Sequence, residues 1–170
     1  MFYVKYTQNG TLLVYRRRHM NNTDTHDRII AILRALGRPG TDAVVNYLET
    51  SSYFKRGCYG HHKEHGGLAK HSMEVYDYMT AHAGGLPAGS IAVAALFHDL
   101  GKTTHSDGRG HGRRSLDILD KLGYELTEDE RIAIGCHHDW SFDFISCALR
   151  RALSMGDCDS TGAWKRAHYR

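Results

Sequence analysis

The chain has 170 residues, 41% of them hydrophobic and 24% charged, with a formal net charge of +3. That is enough for one domain with its own core and an ordinary soluble composition. No apolar run is long enough to cross a bilayer and the start of the chain does not read as a signal peptide, so a cytoplasmic protein without a membrane partner is expected.

Residues 2–16 alternate loosely around Gln8-Asn9-Gly10, and Asn-Gly between two such runs signals a hairpin. A short β-hairpin extension is expected over residues 1–20, with a second unit over residues 21–170. The hairpin cannot stand alone and needs the rest of the chain to pack on.

From Thr23 onward the pattern is helical. Ile29, Ile30, Leu33 and Leu36 fall at helix spacing, and Gly37 with Pro39 stops the run. Thr41 is expected to cap a second helix carrying Val44, Val45, Tyr47 and Leu48. Residues 51–67 form a loop rich in Gly, Tyr and His, and a third helix covers residues 68–83. Ser90 is expected to cap a fourth helix, which runs into His98-Asp99. A polar loop over 103–110 precedes a fifth helix at 111–122. Thr127-x-x-Glu130 is a capping box that opens a sixth, ending at His137-His138, and a seventh is expected over 144–155. The class is all-α, a bundle of about seven helices plus the N-terminal hairpin.

The chain holds 13 histidines, and histidine is the commonest metal ligand among side chains. Phe97-His98-Asp99-Leu100-Gly101-Lys102 places a histidine and a carboxylate at the buried end of an apolar helix, where desolvation is costly unless something satisfies them. His71 lies three residues after Leu68 and four before Val75, on the inner stripe of its helix. His111 opens a helix, His137-His138 closes another, and Asp157 follows the apolar run Ala148, Leu149, Ala152, Leu153. Taken singly, each has a plain reading as a core histidine, a loop residue or a helix cap. Taken together, every helix from the third to the seventh places a His or Asp on an inward face or at an end, and a bundle can bring such positions to one pocket. Five imidazoles and two carboxylates exceed the needs of one ion. A carboxylate shared between two ions uses them better. A set rich in His and without thiolate favours Fe, Mn, Zn or Co over Ca or Mg. Two such ions can hold a bridging hydroxide and polarise a phosphoryl oxygen. The four cysteines form no Cys-x-x-Cys pair and are expected to be buried or idle thiols.

His71, His98-Asp99 and Asp157 resemble the ligand set of the HD-domain metal-dependent phosphohydrolases. With His111 and His137-His138 the set is similar to the two-metal form found in HD-GYP cyclic-dinucleotide phosphodiesterases. Residues 61–75 resemble the His-x-x-x-x-Gly-Gly-Leu-x-x-His-Ser/Thr segment of small bacterial and phage HD hydrolases and of the HD domain in one group of 3′→5′ exoribonucleases. Gly110-His111-Gly112-x-x-Ser115 also resembles the small hydrolases. The resemblance covers residues 40–160.

It implies that one metal takes His71, His98, Asp99 and Asp157, and that a second takes Asp99 as a bridge with His111, His137 and His138. Asp99 and Lys102 would then be catalytic, with Lys102, His61 and Arg114 meeting the substrate. The expected activity is hydrolysis of a phosphomonoester or phosphodiester, on a nucleotide or related small phosphorylated substrate, through a metal-bound hydroxide. No Gly-Tyr-Pro motif follows the His-Asp pair, which argues against cyclic di-GMP. No appended nucleic-acid-binding domain is seen, which leaves short oligonucleotides as the largest substrate. The alternative implied by the fold is a mixed-valent di-iron oxygenase that cleaves a C–C or C–P bond. A decayed binding module is disfavoured, since every ligand position is filled. The basic runs Arg16-Arg17-Arg18, Arg150-Arg151 and Lys165-Arg166 read more simply as solvated faces than as a nucleic-acid site.

Overall fold

A computed structural model describes residues 2–6, 12–16, 22–58, 62–105, 110–138 and 147–161. Phe2–Tyr6 (β1) and Leu12–Arg16 (β2) pair antiparallel, with Phe2 opposite Arg16 and Tyr6 opposite Leu12. The Asn9-Gly10 turn lies outside the described residues, as do Arg17, Arg18, Lys165 and Arg166.

Seven α-helices follow among the described residues. Helix α1 (Asn22–Leu36) buries Ile29, Ile30 and Leu33, and Gly37 with φ 58° ends it in the left-handed conformation that glycine adopts freely. Helix α2 (Thr41–Thr50) buries Val44, Val45 and Leu48. Thr41 is not its cap. It is the first helical residue, and its hydroxyl donates to the Arg38 carbonyl at 2.7 Å while Gly40 holds the capping position. Helix α3 (Gly67–His82) carries Leu68, His71, Val75 and Met79 on its buried side, as the spacing predicts. Helix α4 (Ala88–Phe97) starts two residues before Ser90, so Ser90 is not a cap either. Pro87 sits at the cap, and the buried Ser90 side chain bonds Glu130 instead. Helix α5 (His111–Lys121) and helix α6 (Glu128–Cys136) follow. Both halves of the α6 capping box are made, Glu130 N to Thr127 Oγ1 at 3.3 Å and Thr127 N to Glu130 Oε2 at 2.9 Å.

Helix α7 (Ala148–Ser160) departs most from expectation. Residues 144–146 lie outside the described residues, and the helix continues past Met155, so Asp157 is inside it. Gly156 reads locally as a stop. In the fold it is a contact: a Cβ there would lie 3.2 Å from Val75 and 3.3 Å from Tyr78, and its absence lets α7 approach α3.

Helix α4 organises the molecule. Ser90 to Phe97 are buried without interruption, the pattern of a helix covered all round. It packs against α1, α3, α6 and α7. Val93, Leu96 and Phe97 join one apolar cluster with Ile29, Leu33, Val44 and Leu48. Ile91, Ala94 and Ala95 join a second with Val75, Met79 and Leu153. The chain therefore leaves α4 in the middle of the bundle, where it turns through a short 3-10 turn, Leu100–Thr103. Gly101 in that turn has no room for a side chain, since a Cβ would collide with the His111 carbonyl oxygen. Among the described residues no helix is long and apolar enough to cross a membrane.

Candidate metal centre

Five elements meet at the end of α4. His98 occupies the C-cap of α4 and Asp99 follows it, both essentially without solvent exposure. His71 comes from α3, His111 from the first turn of α5, His137 and His138 from the end of α6, and Asp157 from α7. His71, His111, His137 and Asp157 are buried, while the His138 side chain is 58% exposed.

The ligand atoms fall into two groups, His71 with His98 and Asp99, and His111 with His137 and His138. Asp99 stands between them. Its Oδ2 lies 3.4 Å from His71 Nε2 and 3.5 Å from His98 Nε2, and its Oδ1 lies 3.0 Å from His111 Nε2. Asp157 also reaches both sides, with Oδ1 3.2 Å from His71 Nε2 and Oδ2 3.7 Å from His138 Nε2. Lys102, on the 3-10 turn, places Nζ 2.6 Å from Asp99 Oδ2.

The scaffold fixes these groups through hydroxyls and carbonyls. His98 Nδ1 lies 2.9 Å from the Ala95 carbonyl, and His137 Nδ1 lies 2.8 Å from the Ile134 carbonyl. A carbonyl only accepts, so both Nδ1 atoms carry the proton and both Nε2 atoms carry a lone pair. Ser115 accepts from Gly101 N at 2.8 Å and faces the His98 and His111 carbonyls at 3.0 and 2.9 Å, which ties α5 to the His-Asp turn. From α7, Ser154 donates to the His137 carbonyl and Arg150 Nε to the Cys136 carbonyl, satisfying the open end of α6, so Arg150 is buried and not on the solvated face expected of its basic run.

Burial pushes the His98 imidazole down to about 4, against the pull of Asp99. Burial also holds His137 well below its ordinary value and lowers His138. For Asp99 burial acts upward, but the surrounding histidines and Lys102 outweigh it and hold the carboxyl well below the usual range. The same opposition, dominated by His71, keeps Asp157 low. Burial opposes the Lys102 charge, and Asp99 more than restores it. Near neutrality the pocket thus joins two carboxylates and one ammonium to uncharged imidazoles at His98, His137 and His138.

These residues fit a divalent cation. His98 Nε2 presents a lone pair 3.1 Å from His71 Nε2, the spacing of two nitrogens on one metal with bonds of about 2.0–2.1 Å. Asp99 Oδ1 is buried and makes no well-aligned hydrogen bond despite the nearby His111 ring. Electron-pair donors turned towards one another in a dry pocket are costly without a shared cation.

All seven of these His and Asp side chains are expected from the sequence pattern. His61, expected at the substrate, lies outside the described residues. Arg114 is half-buried beside Gly101, and Arg113 is exposed. Glu74, Ser154 and Ser160 are not among the expected residues, although Glu74, three residues after His71, is open to a helical-spacing argument. Cys58, expected as a buried or idle thiol, is buried with its Sγ 4.0 Å from Asp99 Oδ2. Burial, with the Asp99 charge, pushes that thiol up to about 12, so it stays protonated. All four cysteines are free.

A family model of the HD domain matches residues 68–159. No curated protein and no solved structure matches the chain. The matched span starts one residue into α3 and ends one residue short of the last in α7, so it encloses every described side chain of the two groups. The chain is a member of the HD-domain superfamily of metal-dependent hydrolases.

Proposed function

We propose that the protein hydrolyses a phosphoester of a nucleotide or a related small phosphorylated molecule, at a centre of two divalent transition-metal ions. The observation that carries this reading is the position of Asp99, with one carboxylate oxygen towards each histidine group. His71, His98, Asp99 and Asp157 would hold one ion, and Asp99, His111, His137 and His138 the other. The ions, when bound, would acidify water to a nucleophile and polarise a phosphoryl oxygen. Iron, manganese, zinc and cobalt suit the donor set.

The protein's own residues supply the rest. Lys102 is anchored by Asp99 and kept charged, so it offers a fixed cation where negative charge grows on phosphoryl oxygens. Arg114, on the first turns of α5 beside Gly101, and His61 are proposed to join Lys102 at the substrate. His138, the most exposed of the proposed ligands, is proposed to be the one nearest an incoming substrate. The substrate class proposed is a mononucleotide, a cyclic nucleotide or a short oligonucleotide.

The test is a metal-supplemented screen of nucleoside mono- and triphosphates, cyclic nucleotides and short RNA, followed by phosphate release. Turnover that depends on added metal and is lost in Lys102→Ala is expected. An iron-loaded protein that consumes oxygen and hydrolyses none of these would overturn the reading in favour of the di-iron oxygenase.

A further inference from the structure

Behind His71 runs a chain of polar side chains that the metal reading does not use. His71 Nδ1 lies 3.0 Å from Ser160 Oγ, and Ser160 Oγ donates to Glu74 Oε2 at 2.9 Å. The same carboxylate oxygen meets His62 Nε2 at 3.1 Å. Three separate parts of the chain contribute: α3 with His71 and Glu74, the last residue of α7 with Ser160, and the loop before α3 with His62.

The direction of this chain follows from counting protons. A hydroxyl has one proton, and Ser160 gives it to Glu74. Ser160 Oγ is left to accept from His71, so Nδ1 of His71 carries the ring proton. Nε2 of His71 then carries a lone pair that faces only other electron-pair donors, His98 Nε2 at 3.1 Å, Asp157 Oδ1 at 3.2 Å and Asp99 Oδ2 at 3.4 Å, a crowding that a shared cation would relieve. His62 shows that the arrangement is held at a cost. Its backbone has φ 46°, a left-handed conformation that side chains other than glycine rarely adopt. Cys58 N donates to its carbonyl at 2.8 Å, and Gly67 lies against that carbonyl too closely to tolerate a Cβ. The loop is pinned so that the His62 ring turns in towards Glu74.

We propose that Ser160 and Glu74 are positioning residues for His71, fixing its ring orientation and its Nδ1–H tautomer so that Nε2 faces the metal centre, with His62 orienting the Glu74 carboxylate from the other side. This rests on reading the centre as a metal site. Partners of this kind are worth 10–100-fold in metal affinity where they have been removed in other sites.

The experiment compares wild type, Ser160→Ala, Ser160→Thr and Glu74→Gln by titration with Co(II) alone, thermal melting of the metal-free proteins, and long-range 1H–15N correlation of the His71 ring. Ser160→Ala is expected to weaken Co(II) binding by about 10–100-fold, to leave the metal-free melt unchanged, and to give His71 a mixture of tautomers. Ser160→Thr, which keeps the hydroxyl, is expected to restore both readouts, and Glu74→Gln to weaken Co(II) binding without abolishing it. Wild-type affinity and a single Nδ1–H tautomer in Ser160→Ala would overturn the proposal. Should wild type bind no Co(II), the metal reading falls, and the His71 tautomer in Ser160→Ala still decides whether the relay exists.

Discussion

At Asp99 two large effects oppose each other. Desolvation of a fully buried carboxylate costs several kcal/mol, and only close positive charge or hydrogen bonding offsets it. Lys102 answers one oxygen at 2.6 Å, while the other is left with a poorly aligned imidazole. A residue so placed acts on both histidine groups at once. Asp99→Asn, nearly isosteric but uncharged, is expected to purify with metal content near zero, whereas His111→Ala should lose about one ion of two. Elemental analysis of the purified variants checks this, and two ions per chain in His111→Ala would refute the division. The residues of this centre were legible because His and Asp have few reasons to be buried. Their supports were not. Serine and glutamate are ordinary on helices, and nothing before the fold says that Ser160 meets His71, 89 positions away in sequence.

Among the elements, the start of α6 was legible together with its cap, because a capping box is a local device. Tertiary structure then adds to it. Glu130, fully buried, accepts from both Arg38 terminal nitrogens at 2.7 and 2.8 Å, which joins the α1–α2 turn to the first turn of α6. Burial would raise the Glu130 pKa, but Arg38, Ser90 and the Thr127 backbone outweigh it and lower it. A carboxylate with a lowered folded pKa contributes stability that is complete above its unfolded value, about 4.3, and is lost as pH falls through the folded value. Glu130→Gln is therefore expected to cost about 3 kcal/mol near neutrality, with the difference from wild type shrinking below the carboxylate range. Urea melts across acid pH measure this, and a pH-independent difference would show that packing rather than charge is at stake. The ends of α2, α4 and α7 were less legible for a related reason. Thr41, Ser90 and Gly156 carry strong local signals, but Thr41 turns back to the Arg38 carbonyl three residues before it, while Ser90 and Gly156 are claimed by partners elsewhere in the fold, Glu130 and the face of α3.

Over the whole molecule, the all-α class was legible from periodicity, and the uninterrupted apolar run of α4 marked the centre of the bundle. What it implies for stability is a link between metal and fold. The proposed ligands span positions 71 to 157 and come from five elements, so an unfolded chain cannot gather them. An ion that binds only the folded state stabilises it by mass action, about 2.7 kcal/mol when its free concentration is a hundred times its dissociation constant. For a domain of this length each kcal/mol moves the melting temperature by about 2–4 °C. Metal-loaded protein is therefore expected to melt about 5–10 °C above chelator-treated protein. The difference should vanish in Asp99→Asn and persist, reduced, in His111→Ala. Because the shift depends on free metal and not on turnover, calorimetry separates binding from catalysis. Equal melting of wild type with metal and with chelator would mean that the buried donors hold no ion, and the whole arrangement would have to be explained by protein contacts alone.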